Sequence, residues 1–179
     1  ISLAGAHQIR NASVAIVAAK IVSKSDPRIT EEDLHAGVRE TRWPGRLERI
    51  RRQPDVILDG AHNPNGAQAL RSTLDQFYPG KPVHFVFGMM GDKAVDEVMR
   101  ILFHPEDRIY TVRADDGVRA AEADDLARRA GANARAFADV ALAYDAALAG
   151  AGPDGLVVVA GSLYLVGTFK AMLQQRSTL

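Results

Sequence analysis

From Trp43 onward the chain alternates short apolar runs with segments of helical spacing, and this alternation limits the fold more than any other feature. Its clearest stretch is Val56-Ile57-Leu58-Asp59-Gly60-Ala61-His62-Asn63-Pro64-Asn65. Val56, Ile57 and Leu58 read as a strand covered on both faces, and Gly60 permits a tight turn where the strand ends at Asp59. Asn63 caps a helix whose first residue, Pro64, has a fixed φ and no N–H to waste. In that helix Ala67, Leu70, Leu74 and Phe77 share one face, which predicts packing on a sheet until Pro79-Gly80 ends it. Further strands are expected over 46–51, 83–87, 108–113 and 156–160, with a weak one over 135–137. The intervening helices carry Val95, Val98 and Leu102 behind an Asp92 cap, then run over 122–130 to a stop at Gly131, over 140–149, and last over 162–175. Strands separated by helices of about 10–15 residues need right-handed crossovers, so the sheet is mainly parallel. The fold expected is a doubly wound α/β domain over 43–179.

Residues 1–42 have a different texture. Residues 11–22 are dense in Ala, Val and Ile with Lys20 the single charge, which predicts a helix buried on most sides. Asp26-Pro27 breaks it. Thr30 before Glu31-Glu32-Asp33 caps a second short helix with Leu34 and Val38 as a narrow apolar stripe. Trp43-Pro44-Gly45 then makes the turn between two units, so the chain is read as a helical segment over 1–42 and the α/β domain over 43–179.

Lys plus Arg and Asp plus Glu number 22 each, so no global field argues for nucleic acid or an anionic membrane. Arg39, Arg42, Arg46, Arg49, Arg51 and Arg52 crowd the boundary, but Trp43 is the one aromatic among them. Most of these arginines are read as solvated, with Arg46 placed to reach a phosphate at a domain interface. The chain has no cysteine, which removes disulfides and Cys-based zinc together, and its five histidines show no ligand spacing, so no protein-only metal site is expected. No apolar run approaches the roughly 20 residues of a membrane-spanning helix. The chain begins at Ile1 without a signal-peptide pattern and is read as a piece of a longer, cytoplasmic protein.

In an open α/β sheet ligands bind beyond the carboxyl ends of the strands. The rim would comprise 59–62, 88–93, 113–116 and Gly161-Ser162. Asp59 and His62 either act together on a ligand, or bond turn amides and pack on the helix; spacing leaves both open. Ser162 stands at a helix start, where it either helps an anion onto free N–H groups or simply caps the helix. Gly88-Met89-Met90-Gly91-Asp92-Lys93 lacks the G-x-x-x-x-G-K-[ST] order that cradles a triphosphate, and no such order occurs in the chain. Gly150-Ala151-Gly152-Pro153-Asp154-Gly155 matches G-x-G-x-x-G in letters, yet it follows a helix and precedes a strand, the reverse of a dinucleotide fingerprint. It is read as a loop.

Four motifs together resemble the C-terminal part of the folylpolyglutamate synthase/dihydrofolate synthase branch of the Mur ligase family: Gly5-Ala6-His7-Gln8 with Asn11-Ala12, Trp43-Pro44-Gly45-Arg46-Leu47-Glu48, Leu58-Asp59-Gly60-Ala61-His62-Asn63-Pro64, and Gly161-Ser162-Leu163-Tyr164-Leu165-Val166-Gly167. The resemblance implies a Rossmann-like domain that follows a central ATPase domain, here represented by its helical tail over 1–42. It implies an enzyme that uses ATP and Mg²⁺ to activate a folate or dihydropteroate carboxylate as an acyl phosphate, which the amine of glutamate then attacks. By that likeness Asn11 and Gln8 lie on the adenine side, Arg46 reaches the phosphates, Asp59 faces the ribose, and His62 and Ser162 serve glutamate and the reacting centre. The missing upstream ATPase domain becomes the chief partner, with the intact protein a monomer. The competing readings are a non-catalytic α/β module for a small anion and a peptidoglycan-precursor ligase of the same superfamily; the WPGRLE and LDGAHNP wording favours the folate branch.

Overall fold

The computed structural model describes residues 5–91 and 94–177. Two helices, α1 (Ala6–Ser23) and α2 (Glu31–Glu40), precede β1 (Glu48–Arg51), β2 (Asp55–Asp59), α3 (Pro64–Phe77), β3 (Val83–Phe87), α4 (Val95–Leu102), β4 (Arg108–Thr111), α5 (Ala123–Ala130), β5 (Ala134–Ala136), α6 (Val140–Ala151), β6 (Leu156–Ala160) and α7 (Leu163–Ser177). The six strands form one sheet in the order β1-β2-β6-β3-β4-β5, parallel throughout except for β1, which pairs antiparallel with β2 at the edge. This is the Rossmann-like doubly wound fold expected.

Alternation along the strands divides the interior into two layers. Ile57, Phe85, Phe87 and Val158 point into the layer under α3, α4 and α5, and Val56, Leu58, Val86, Val157 and Val159 into the layer under α6 and α7. Both faces are covered, so the central strands read as continuous apolar runs. The order also fixes where a site can form. β2 and β6 are neighbours, yet α3 leaves β2 on one face and α7 leaves β6 on the other. Their carboxyl ends therefore flank the point where the winding reverses, the crevice in which open α/β sheets bind ligands.

The caps fall where the residues demand. The Asn63 side chain accepts from Gly66 N at 2.8 Å with Pro64 opening α3, and Thr30 forms a complete capping box with Asp33 on α2. The Asp92 cap expected for α4 falls outside the described residues. The letter-perfect glycine pattern at 150–155 does join the end of α6 to β6.

Two expectations need correction. Helix α1 forms, but it is not buried on most sides: Val14, Val17 and Ile21 are 66%, 59% and 63% exposed. Its contacts run to α2 and α3, and its apolar residues lie all round the helix, so a single neighbour cannot cover them. On α3, Phe77 is exposed while Arg71 and Thr73 are buried. The last turn of α3 overhangs the short edge strand β1, and Phe77 lines an open groove there with Leu47, Ile57 and Leu74. Strand β1 also begins two residues later than expected, which leaves Arg46 in the preceding turn.

Candidate functional site

Gln8, Asn11, Arg46 and Asp59 come from four separate segments, and the fold brings all four to one recess of about 350 Å³. Trp43, Asn63, Asn65, Gly66, Ala69 and Leu70 complete its wall. The recess lies between α1, the turn before β1, and the first two turns of α3.

Helix α1 supplies the polar end. Gln8 is its one buried polar residue among those described, and Asn11 Nδ2 donates to Gln8 Oε1 at 3.1 Å. That bond orients both carboxamides, which present donors and acceptors of the kind that read the edge of a planar heterocycle. From Asn11 the recess continues into an apolar cavity of about 530 Å³ between α1 and α2, lined by Ala12, Ala15, Ile16, Leu34, Val38 and Trp43. Arg46 shares the recess with Asn63, Asn65 and Gly66 at the start of α3, where N–H groups and the helix dipole favour an anion.

Asp59 has a more definite part in the structure than the motif implied. It is 6% exposed, its Oδ2 accepts from Leu47 N at 2.9 Å, and its Oδ1 accepts from Ala61 N at 2.8 Å. One carboxylate thus ties the end of β2 to the turn that carries Arg46. Gly60 N donates to Gly45 O at 2.8 Å and adds a second tie. A side chain at Gly60 would meet the Leu163 side chain of α7, which would have to move aside. Within the turn Gly45 and Leu47 both take positive φ, 73° and 46°. For Leu47 that is a strained conformation, which the surrounding bonds must hold.

His62 and Ser162 do not line the recess; they stand beside it on the rim after β2 and β6, strands that pair Asp59 with Ala160. His62 Nδ1–H donates to Gly60 O at 2.7 Å, which leaves Nε2 of the neutral ring with its lone pair. Ser162 is 2% exposed and its Oγ accepts from Tyr164 N at 3.1 Å, so the cap at the start of α7 is what its hydroxyl makes. Gly161, at φ 109° and against Gly88 O, permits the turn before it. The rim continues through a bridge between Met90 and Ala120, which folds the loop after β4 against the loop after β3.

Trp43 was missed as a site residue. The exposed indole beside Pro44-Gly45 touches both the recess and the adjoining apolar cavity. A tryptophan in a Pro-Gly turn next to Arg46 is the signal the sequence offers. Asn65 was not legible at all, because nothing in its spacing sets it apart from a helix-surface residue. Among the described residues no group of three or more His, Asp or Glu is placed to hold a metal ion, and no helix is long and apolar enough to cross a membrane.

The fold and site together define a doubly wound α/β domain with a polar recess at the carboxyl end of β2, beside its topological switch point and walled on one side by α1. Residues 45–163 match the family model described as Mur ligase, glutamate ligase domain. The chain belongs to that family. Among curated proteins it is 39% identical over 93% of its length to a Haloferax volcanii protein named as a probable bifunctional folylpolyglutamate synthase/dihydropteroate synthase, of which it covers 20%. Among solved structures it resembles a Mycobacterium tuberculosis folylpolyglutamate synthase complexed with ADP and AMPPCP, with TM-score 0.83 and 30% identity over 96% of this chain and 41% of that one. A Yersinia pestis folylpolyglutamate synthase/dihydrofolate synthase with Mn, AMPPNP and L-glutamate bound matches with TM-score 0.74 and 34% identity over 82% of this chain and 35% of that one. The chain thus spans between a fifth and about two fifths of these relatives.

Proposed function

We propose that this chain is the glutamate-ligase portion of an ATP-dependent enzyme that joins glutamate to a folate or dihydropteroate carboxylate through an acyl phosphate. Residues 1–42 would be the helical tail of a central ATPase domain and 43–179 the ligase domain, in keeping with the family match that starts at residue 45. The observation that carries the proposal is the convergence of Gln8, Asn11, Arg46 and Asp59 on one recess at the start of α3. Two carboxamides line it from α1 and an arginine from the turn before β1, group types that suit a base and phosphates. Gln8 and Asn11 would meet the base, Arg46 the phosphates, and Asp59 the ribose side while it braces the Arg46 turn.

In the reaction the terminal phosphoryl group of ATP passes to the substrate carboxylate, giving ADP and an acyl phosphate. The glutamate amine then attacks the acyl carbon, loses a proton, and expels phosphate as the amide forms. Arg46 would offset charge on the phosphate oxygens by charge-assisted bonds. His62 would hold glutamate through its Nε2 side, and Ser162 would set the start of α7, whose N–H groups suit a carboxylate. Mg²⁺ would neutralise phosphate charge in such a reaction. The described residues provide no ligand set for it, and the sequence holds no P-loop, so both are assigned to the upstream ATPase domain.

The 179-residue chain alone should therefore form no ADP from ATP in a glutamate-dependent manner, whereas the complete protein should, given a folate or dihydropteroate acceptor. Glutamate-dependent ADP formation by the isolated chain would show that the division of labour is wrong. In the complete protein, His62→Ala should raise the KM for glutamate more than that for ATP; the reverse order would remove His62 from the glutamate side.

A further inference from the structure

Glu48 closes the motif that contains Arg46, yet it lies outside the recess and faces α7. Its Oε2 accepts from Gly45 N at 2.7 Å. The same carboxylate receives Lys170 Nζ at 2.7 Å on Oε2 and 2.8 Å on Oε1, across 122 residues of chain. Both side chains are about one-third exposed, so an isolated pair here would add little to stability. What it holds is more telling than its strength. Gly45 at φ 73° and Leu47 at φ 46° flank Arg46, and each is fixed by a carboxylate: Gly45 N by Glu48, Leu47 N by Asp59.

Lys170 belongs to a stripe on α7. A Cβ at Gly45 would touch Val166, one at Gly60 would overlap Leu163, and Lys170 reaches Glu48. Residues 163, 166 and 170 share one helical face, so the helix that begins at Ser162 lies along the turn that carries Arg46. We infer that Glu48 and Lys170 are positioning residues: they clamp the Gly45–Leu47 turn onto α7 so that Arg46 stands ready for the nucleotide phosphates. Neither touches the recess; they act through Arg46. The clamp also links the Arg46 turn mechanically to the helix whose start borders the glutamate side. This inference rests on the phosphate-binding role proposed for Arg46.

The test is calorimetric binding of AMPPNP to the complete protein, with wild type, Arg46→Ala, Glu48→Ala, Glu48→Gln, Lys170→Met and the Arg46→Ala/Glu48→Ala double variant. Misplacing a recognition group by a fraction of an ångström to an ångström weakens contact strongly, so Glu48→Ala should raise Kd for AMPPNP about 10-fold. Lys170→Met and Glu48→Gln, which keep an acceptor for Gly45 N, should raise it about 2- to 4-fold. The deciding comparison is the double variant: with Arg46 already gone, Glu48→Ala should change Kd less than 2-fold, because residues that act through one group are not additive. Hydrogen exchange should show faster exchange at the Gly45 and Leu47 amides in Glu48→Ala with the central strands unchanged. An unaltered Kd in Glu48→Ala, or a full multiplicative loss in the double variant, would overturn the clamp. A wild-type protein that binds AMPPNP but forms no amide would sink the ligase reading and leave the clamp standing.

Discussion

Asp59 ends a buried strand with each carboxylate oxygen on a backbone amide, and the two amides belong to different segments. From the sequence its two roles, ligand contact or turn acceptor, could not be separated. The structure shows the second in full and leaves the first beside it, since the same residue lines the recess. Asp59→Asn is the informative change, because an amide keeps one acceptor and turns an NH₂ toward the other N–H. A buried donor without its acceptor costs about 1–3 kcal/mol, and Asp59→Asn should lose that much in urea denaturation. An unchanged midpoint would remove Asp59 from the scaffold. His84 supplies a second residue-scale prediction. Burial in the sheet, with the charge of Arg108 adding to it and Asp107 opposing, holds its imidazole below the ordinary value of 6.5. The unfolded chain then binds a proton more readily than the folded one, so this contribution is complete above about pH 6.5 and is lost on acidification below it. Between pH 7.5 and 5.5 the wild type should lose more stability than His84→Phe; parallel curves would contradict the assignment. His84 Nδ1 also pairs with the Tyr110 hydroxyl at 2.9 Å, in keeping with a structural histidine.

At the scale of elements, what was legible was what depends on local pattern. The runs 56–58, 85–87 and 156–160 are apolar on both faces because helices cover both, and continuous runs need no context to recognise. The caps at Asn63 and Thr30 were legible for the same reason. Burial of α1 was not, because a helix apolar all round says only that something covers it, and within this chain α2 and α3 cover a small part. Arg71 was also hidden. It lies on the packed face of α3, where its guanidinium reaches Asp107 at 3.2 Å, and Asp107 is 1% exposed while accepting from Val83 N and His104 N at 2.8 Å each. This knot joins α3, the start of β3 and the turn before β4, contacts separated by up to 36 residues that no local window contains. Removing Asp107 leaves Arg71 paired with Asp75 at 2.7 Å but strands the Val83 and His104 amides, at about 1–3 kcal/mol each, so Asp107→Ala should lower unfolding free energy by about 2–6 kcal/mol. A loss below 1 kcal/mol, measured by denaturant titration, would mean that water takes over its bonds.

At the scale of the molecule the recess exists because α1 packs on α3, and because the turn before β1 is tied to the end of β2 beneath it. Neither fact belongs to a motif. The sequence named Gln8, Asn11, Arg46 and Asp59 through resemblance, and the fold shows why residues spread over 52 positions share a wall. The exposed apolar surface of α1 fits the same proposal, in which a central ATPase domain would cover it. The most direct test of the account is the crystal structure of the complete protein with AMPPNP. The ring should lie by Gln8 and Asn11, the ribose near Asp59, and a phosphate oxygen within hydrogen-bond distance of Arg46 at the start of α3. AMPPNP bound elsewhere, with Arg46 turned away from every phosphate, would contradict it.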